Sequence, residues 1–350
     1  VTSNILTVGG VGSQTLQVSL SASRTTKVNE IGFVVVQDNN GALTNAAGTV
    51  VQPGSATYLA EVLRQSRVLV SSLSQTGAPT GVNPAQLGRT LEISAGQRVL
   101  FFLVENGTID GALNQVRNNQ TPTNVKLGSA TSTLRFSQQV TNNTFTLSFE
   151  DGTDGDFDDA VLSVAPKTTA VPRAAALQGL EQGEALDLRG LTSQVATFTV
   201  NREALFNNFV GFYRVDNPTG QIGTLAPTAA NRNAYVAAAL ANRVPGLNGL
   251  SAPNGGTATA QAVLAGGAIL APFIITNVGT STFDQAIARL TDTNTTNDPG
   301  IFFPYLGVNP GNADHVRLLG DNTFGFEDIN PTQGASDLDY NDIIVRASFA

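Results

Sequence analysis

The chain has no Cys, no Met and no Trp, and a single His. Without Cys, disulfides, zinc thiolates and cysteine nucleophiles are excluded. Without Met it lacks the residue that begins a complete translation product, so Val1 reads as a processed or excised start. Charge is scarce too, at 13% of residues against 41% hydrophobic, a balance that belongs to folded rather than disordered chains. The basic residues are few and scattered and the net charge is −8. No nucleic-acid partner is expected, because neutralising phosphates takes clustered Lys and Arg. No apolar run approaches the roughly 18–20 residues that span a bilayer as a helix, so no transmembrane segment is expected, and no signal peptide is visible.

What is present is Ser, Thr, Asn and Gln in place of the usual charged residues, with abundant Val, Thr and Gly, and this favours β-structure. A Cys-free, acidic, Asn/Thr/Gly-rich β-protein fits a secreted bacterial protein, extracellular or at the cell surface. Its 350 residues are enough for two domains with hydrophobic cores.

The chain reads as two copies of one module. Leu16-Gln17-Val18-Ser19-Leu20 corresponds to Ala196-Thr197-Phe198-Thr199-Val200, and the strand starting at Ile31 corresponds to that starting at Val210. Tyr58, Leu59, Val62 and Leu63 recur with helical period, as do Tyr235, Val236, Ala239 and Leu240 ahead of Pro245. Apolar strands Val99–Val104 and Ile269–Ile275 follow, Pro272 marking the second as bulged or at a sheet edge. A second short helix is expected around Leu113 and Val116, and around Phe283, Ile287 and Leu290. Leu127-Gly128 then matches Leu306-Gly307. The expected fold is mainly β: two tandem β-sandwich domains, jelly-roll-like, with short helices in the connections. Their expected bounds are 1–166 and 184–350, joined by a linker at 167–183.

Each copy ends in an acidic hairpin, 149–161 and 326–345. Of the 27 acidic residues, 11 fall in these two stretches, more than solubility requires. The candidate metal ligands are Glu150, Asp151, Asp154, Asp156, Asp158 and Asp159 in the first, and Glu327, Asp328, Asp337, Asp339, Asn341 and Asp342 in the second. In extended backbone, residues two apart share a face, so Asp154, Asp156 and Asp158 would converge, as would Asp337, Asp339 and Asn341. Carboxylates about 4 Å apart repel by roughly 4 kcal/mol at an effective dielectric near 20, which a bound cation would offset. All-oxygen ligands select a hard ion, and calcium tolerates an irregular loop better than magnesium. The loops are not EF-hands: counting from Asp154 or Asp337, the sixth residue is Asp159 or Asp342 rather than Gly. The bland alternative, a solvated acidic turn, accounts poorly for both copies keeping acids around an aromatic, Phe157 or Tyr340. Asn106 and Asn277, at equivalent strand ends, read as turn formers and otherwise as additional ligands.

Phe326-Glu327-Asp328, a Gly-containing loop, then Asp337-Leu338-Asp339-Tyr340-Asn341-Asp342 and an apolar strand resemble the C-terminal signature of an uncharacterised domain family. That family occurs in secreted bacterial proteins, cyanobacterial ones included, and in large calcium-dependent adhesins. The first copy departs from the signature, with Gly155 for the Leu, Phe157 for the Tyr and Asp158 for the Asn. The resemblance implies a secreted, calcium-binding β-domain, usually an accessory module, and no settled activity.

No catalytic set is present. His315 has no counterpart in the first copy and no nucleophile-elbow motif exists, so it reads as a surface or turn His. The acids are bunched in single loops rather than spread across a cleft as glycoside hydrolysis requires. Tyr213, Tyr305 and Phe302-Phe303 read as core rather than as a sugar platform. The expected function is therefore a non-enzymatic structural protein of the cell surface or extracellular matrix. Calcium would rigidify each repeat and support self-assembly into filaments or layers, or adhesion. The alternatives are a calcium-dependent, lectin-like module binding surface glycans and, less favoured, an accessory domain pair of a secreted hydrolase.

Overall fold

The computed structural model describes the chain apart from residues 1–4, 26, 74–78, 84–86, 128–134, 142–143, 152–153, 180–183, 295 and 331–335, with only the backbone of 135–141. Gly128, the end of the expected linker and part of each acidic hairpin thus lie outside the described residues.

The N-terminal half runs β1 (Ile5–Thr7), β2 (Ser13–Ala22), β3 (Glu30–Val36), β4 (Leu43–Thr44), β5 (Val50–Val51), α1 (Tyr58–Gln65), β6 (Arg67–Ser71) and β7 (Gly88–Ser94). It continues with β8 (Arg98–Val104), α2 (Ile109–Arg117), β9 (Val125–Leu127), β10 (Arg135–Thr141), β11 (Thr144–Glu150) and β12 (Ala160–Pro166). The C-terminal half runs β13 (Leu186–Asp187), β14 (Gln194–Arg202), β15 (Phe209–Val215), α3 (Arg232–Ala241), β16 (Gly256–Leu264) and β17 (Ile269–Thr276). Then come α4 (Phe283–Thr291), β18 (Gly300–Phe302), β19 (Val316–Gly320), β20 (Thr323–Phe326) and β21 (Ile343–Phe349).

The four helices stand where helical periodicity places them. Each turns one apolar side inward: Tyr58, Val62 and Leu63 from α1, and Phe283, Ala286 and Ile287 from α4. Thr108 caps α2 by accepting from the Gly111 amide, and Thr282 with Gln285 forms a capping box on α4.

The strands form four main sheets, ordered β1-β8-β3-β6 with β9 beside β8, then β10-β11-β12-β2-β7, then β13-β17-β15 with β18 beside β17, and β16-β14-β21-β20-β19. The second and fourth orders superpose element for element when β7, β2, β12, β11 and β10 are matched to β16, β14, β21, β20 and β19. Pro272 lies in central β17, not at an edge or bulge. It falls between the stretch paired with β13, at Ile269 and Leu270, and the stretch paired with β18, from Ile274 onward. That side of β17 is unpaired at Pro272, so an amide missing there costs no ladder bond.

The expectation of two tandem jelly-roll-like sandwiches is overturned. The sheets are small, antiparallel and arranged as a four-blade β-propeller, with 39% strand and 15% helix. The packing crosses the halves. One apolar cluster joins Leu100, Phe102 and Val104 of β8 to Phe198, Phe212, Phe324 and Val345 of the C-terminal sheets. Another joins the inward positions of β2 (Leu16, Val18 and Leu20) to Phe33, Phe101, Leu147 and Phe149, and takes in Leu319 and Ile344 from the C-terminal half. A third packs Tyr213, Phe273 and Ile275 beneath α3 and α4. Strand alternation states that one face is buried but not against which sheet, so it could not separate these arrangements.

The segment between the halves is exposed at Thr168, Thr169 and Ala170 and then packs onto the molecule. Ala174, Ala175, Leu177 and Gln178 are buried. Gln178 Nε2 donates to Asn322 Oδ1 at 2.5 Å, and Arg89 donates to the Gln178 carbonyl at 2.5 Å. Arg89 also pairs with Asp321 at 3.2 Å. Gly320 and Gly88 sit backbone to backbone, and a Cβ on Gly320 would lie 3.1 Å from the Gly88 carbonyl oxygen.

Candidate metal centre

Both acidic loops close the same kind of hairpin. The last strand pairs before them are Phe149 with Ala160 and Phe326 with Ile343. Between, at the described residues, the chain leaves the extended conformation. Gly155 and Phe157 in one loop, and Leu338 and Tyr340 in the other, have φ of 77°, 59°, 56° and 56°. Left-handed backbone at a bulky residue costs about 1–3 kcal/mol and persists only where surroundings impose it.

This coiling, and not a shared strand face, decides which acids meet. In the first loop Glu150, Asp154 and Asp159 each bring an oxygen within 4.8 Å of the others. In the second, Glu327, Asp337 and Asp339 form one such group, and Glu327, Asp328 and Asp342 form another. These are the three groups among the described residues that could hold a metal ion. Asp156 stays exposed, where it accepts the Asp158 amide. Asp158 is drawn into an ion pair with Arg24 at 2.7 Å. Asp151 faces Lys27, Thr25 and Asn29. Asn341 donates from Nδ2 to Asp339 Oδ2 at 2.6 Å.

A frame of hydrogen bonds is repeated in both copies. The Asp151 amide donates to Asp159 Oδ2 at 2.6 Å, and the Asp328 amide to Asp342 Oδ2 at 2.7 Å. Asn29 Nδ2 donates to Asp151 Oδ2 at 2.5 Å, and Asn208 Nδ2 to Asp328 Oδ2 at 2.6 Å. Each of these Asn side chains accepts in turn from a backbone amide, Asn106 at 2.9 Å or Asn277 at 3.0 Å. Asn106 and Asn277 are thus turn formers held at positive φ, 44° and 56°, and their backbones are what the site uses. Asn29 and Asn208, fully buried, escaped the reading from sequence. The signal existed, since each stands two residues before Ile31 or Val210, positions already matched between copies.

The second loop carries the stronger electrostatic conflict. Glu327 is buried to 1% exposure and its Oε2 has no hydrogen-bond partner. Burial, followed by the nearby Asp337 and Asp339 charges, pushes its carboxyl up to about 7. Burial and Asp337 push Asp339 up to about 6. Asp342 and Asp328 are both raised, by burial first and then by neighbouring acids, which include Asp328 itself at Asp342. In the first loop burial raises Asp159, with Asp151, Glu150 and Asp154 adding to it. Desolvated carboxylates in mutual contact, with a lone pair left unmet, are the donor set a hard cation fits.

His315 is not at the surface. It is fully buried, stacked on Phe302 with centroids 3.6 Å apart, and its Nδ1 meets the Glu327 carbonyl at 2.9 Å. Burial pushes it down to about 4, so it supports the Glu327 backbone as a neutral ring. Tyr213, Tyr305, Phe302 and Phe303 are buried in the core.

Two segments of the chain, residues 93–166 and 264–350, match the family model described as a domain of unknown function (DUF4114). Each segment contains one acidic loop with its return strand, which is consistent with two copies of that domain. Among curated proteins nothing matches the chain. Among the described residues, no helix is long and apolar enough to cross a membrane.

Proposed function

We propose that this chain is a secreted or cell-surface structural protein in which calcium closes each acidic loop and stiffens the molecule for self-assembly or adhesion. The observation that supports it is Glu327, buried with an unmet oxygen within reach of four other carboxylates. A buried, unpaired charge of this kind is expensive unless a cation answers it. Calcium accepts six to eight oxygens at variable angles, whereas magnesium demands near-octahedral order, and these loops are irregular.

Calorimetric titration with calcium, paired with melting in calcium and in chelator, tests the proposal. A hundredfold excess of calcium over its dissociation constant should stabilise by about 2.7 kcal/mol, a rise in Tm of roughly 4 °C for a chain of this size. Absence of binding heat together with an unchanged Tm would remove the reading. A second reading, a calcium-dependent carbohydrate-binding module, draws support from the exposed rim acids Asp154 and Asp337, beside which an ion could take ligand oxygens. Glycan-array binding that chelator abolishes would favour it.

A further inference from the structure

The two acidic loops share a hydrogen-bond frame and differ in the cations built around it. In the N-terminal loop, Lys27 Nζ lies 3.5 Å from Asp151 Oδ1. It donates to the Asp151 carbonyl at 2.6 Å and to Glu105 Oε1 at 2.5 Å. Thr25 and Asn29 donate to Asp151 Oδ2 at 2.6 and 2.5 Å. Arg24 holds Asp158. In the C-terminal loop Lys27 is replaced by Phe206, two residues before the bridging Asn208, and Glu105 by Thr276, one before Asn277. Thr25 is replaced by Ala204 and Arg24 by Glu203. The cation facing Asp328 and Asp342 is Arg202. Its guanidinium is spent on the carbonyls of Ala252, Ala204 and Phe206, and among the described residues it forms no ion pair with them.

The carboxylate groupings follow the same division. The N-terminal loop has one group, and the C-terminal loop has two that share Glu327, the residue with the unmet buried oxygen. We propose that the chain holds three divalent cations, one in the N-terminal loop and two in the C-terminal loop bridged by Glu327, the Lys27 ammonium standing where the fourth would lie. The proposal rests on the calcium reading above. Charge supports it. One calcium and Lys27 leave Glu150, Asp151, Asp154 and Asp159 with one negative charge in excess, the Glu105 that Lys27 also meets being paired with Lys126 at 3.5 Å. Two calcium ions leave Glu327, Asp328, Asp337, Asp339 and Asp342 with the same excess.

Native mass spectrometry and calorimetric titration of the full chain with calcium count the ions directly. Three per chain are expected. Asp342→Asn should reduce the count to two, and Lys27→Ala should raise it to four by vacating the ammonium's place, each judged on protein with unchanged circular dichroism. Two ions on the unaltered chain would overturn the inference and leave the calcium reading standing, whereas none would remove both. Three ions on both the unaltered chain and Lys27→Ala would overturn the role given to Lys27. The count on the unaltered chain decides even if a variant does not fold.

Discussion

Burial of Glu327 with Oε2 unpaired costs the fold stability that a bound cation would restore. Replacing it by Gln removes the desolvated charge. Glu327→Gln should therefore raise stability in chelator at about pH 8 by on the order of 2 kcal/mol, while weakening calcium binding at least tenfold. Melting in chelator and titration calorimetry check the two halves of that expectation. The pH dependence follows from the same residues. Glu327 near 7 and Asp339 near 6 hold protons in the folded, metal-free chain well above the roughly 4 at which unfolded carboxyls release them. Their stabilising contribution is complete below the unfolded values and lost as pH rises through about 6 to 7. His315 acts oppositely. Its value near 4 gives a contribution complete above about 6.5 and lost as pH falls below that. Comparing about pH 6.5 with pH 8 thus isolates the carboxylates. In chelator Tm should fall over that interval, and the increment from calcium should grow. An increment that shrinks with pH would contradict the assignment.

The acidic loop as an element owes its shape to alternating left-handed residues. Leu338 and Gly155 hold equivalent places, at φ 56° and 77°, so the N-terminal copy meets with glycine the strain the C-terminal copy carries on a leucine. Leu338→Gly should stabilise the calcium-bound protein by about 1 kcal/mol, and Gly155→Leu should destabilise it by about the same. Chemical denaturation of both variants checks the opposite signs. The acids of these loops were legible in the sequence because hard oxygen ligands in a short run have a recognisable composition. The coil was not, because no residue type at 338 or 340 announces positive φ. Asn29 and Asn208 lie more than 100 residues before the acids they hold, a distance that local pattern does not span. The four helices were legible because period 3.6 is itself a local signal.

At the scale of the molecule the halves are joined by apolar clusters and by buried charge. Arg317 of β19 donates to the Val28 carbonyl at 3.0 Å, lies 3.8 Å from Asp314 and stacks 4.0 Å over the Tyr340 ring. Val28 neighbours the bridging Asn29, and Tyr340 belongs to the C-terminal loop, so this one guanidinium ties the frames of the two acidic loops together. Buried Glu30, whose carboxyl burial pushes up to about 7, draws on the same charge. Arg317→Met should destabilise by about 3 kcal/mol, because removing one partner strands the buried acids. Calorimetry should show the unaltered chain melting in a single transition, since clusters crossing the halves couple them. Two separated transitions would mean that the shared packing contributes little.

Composition and repetition along the chain determined that this protein is mainly β, that its helices are few and short, and that its acids gather in two loops. These properties are local, set by side-chain type and by period over short stretches. Which sheet faces which, how four sheets stand as propeller blades, and why Asp151 meets a lysine while Asp328 meets another carboxylate were decided only in three dimensions. Each depends on residues far apart in the chain, such as Lys27 and Asp151 or Arg89 and Asp321, and alternation along a strand carries no information about what lies across from it.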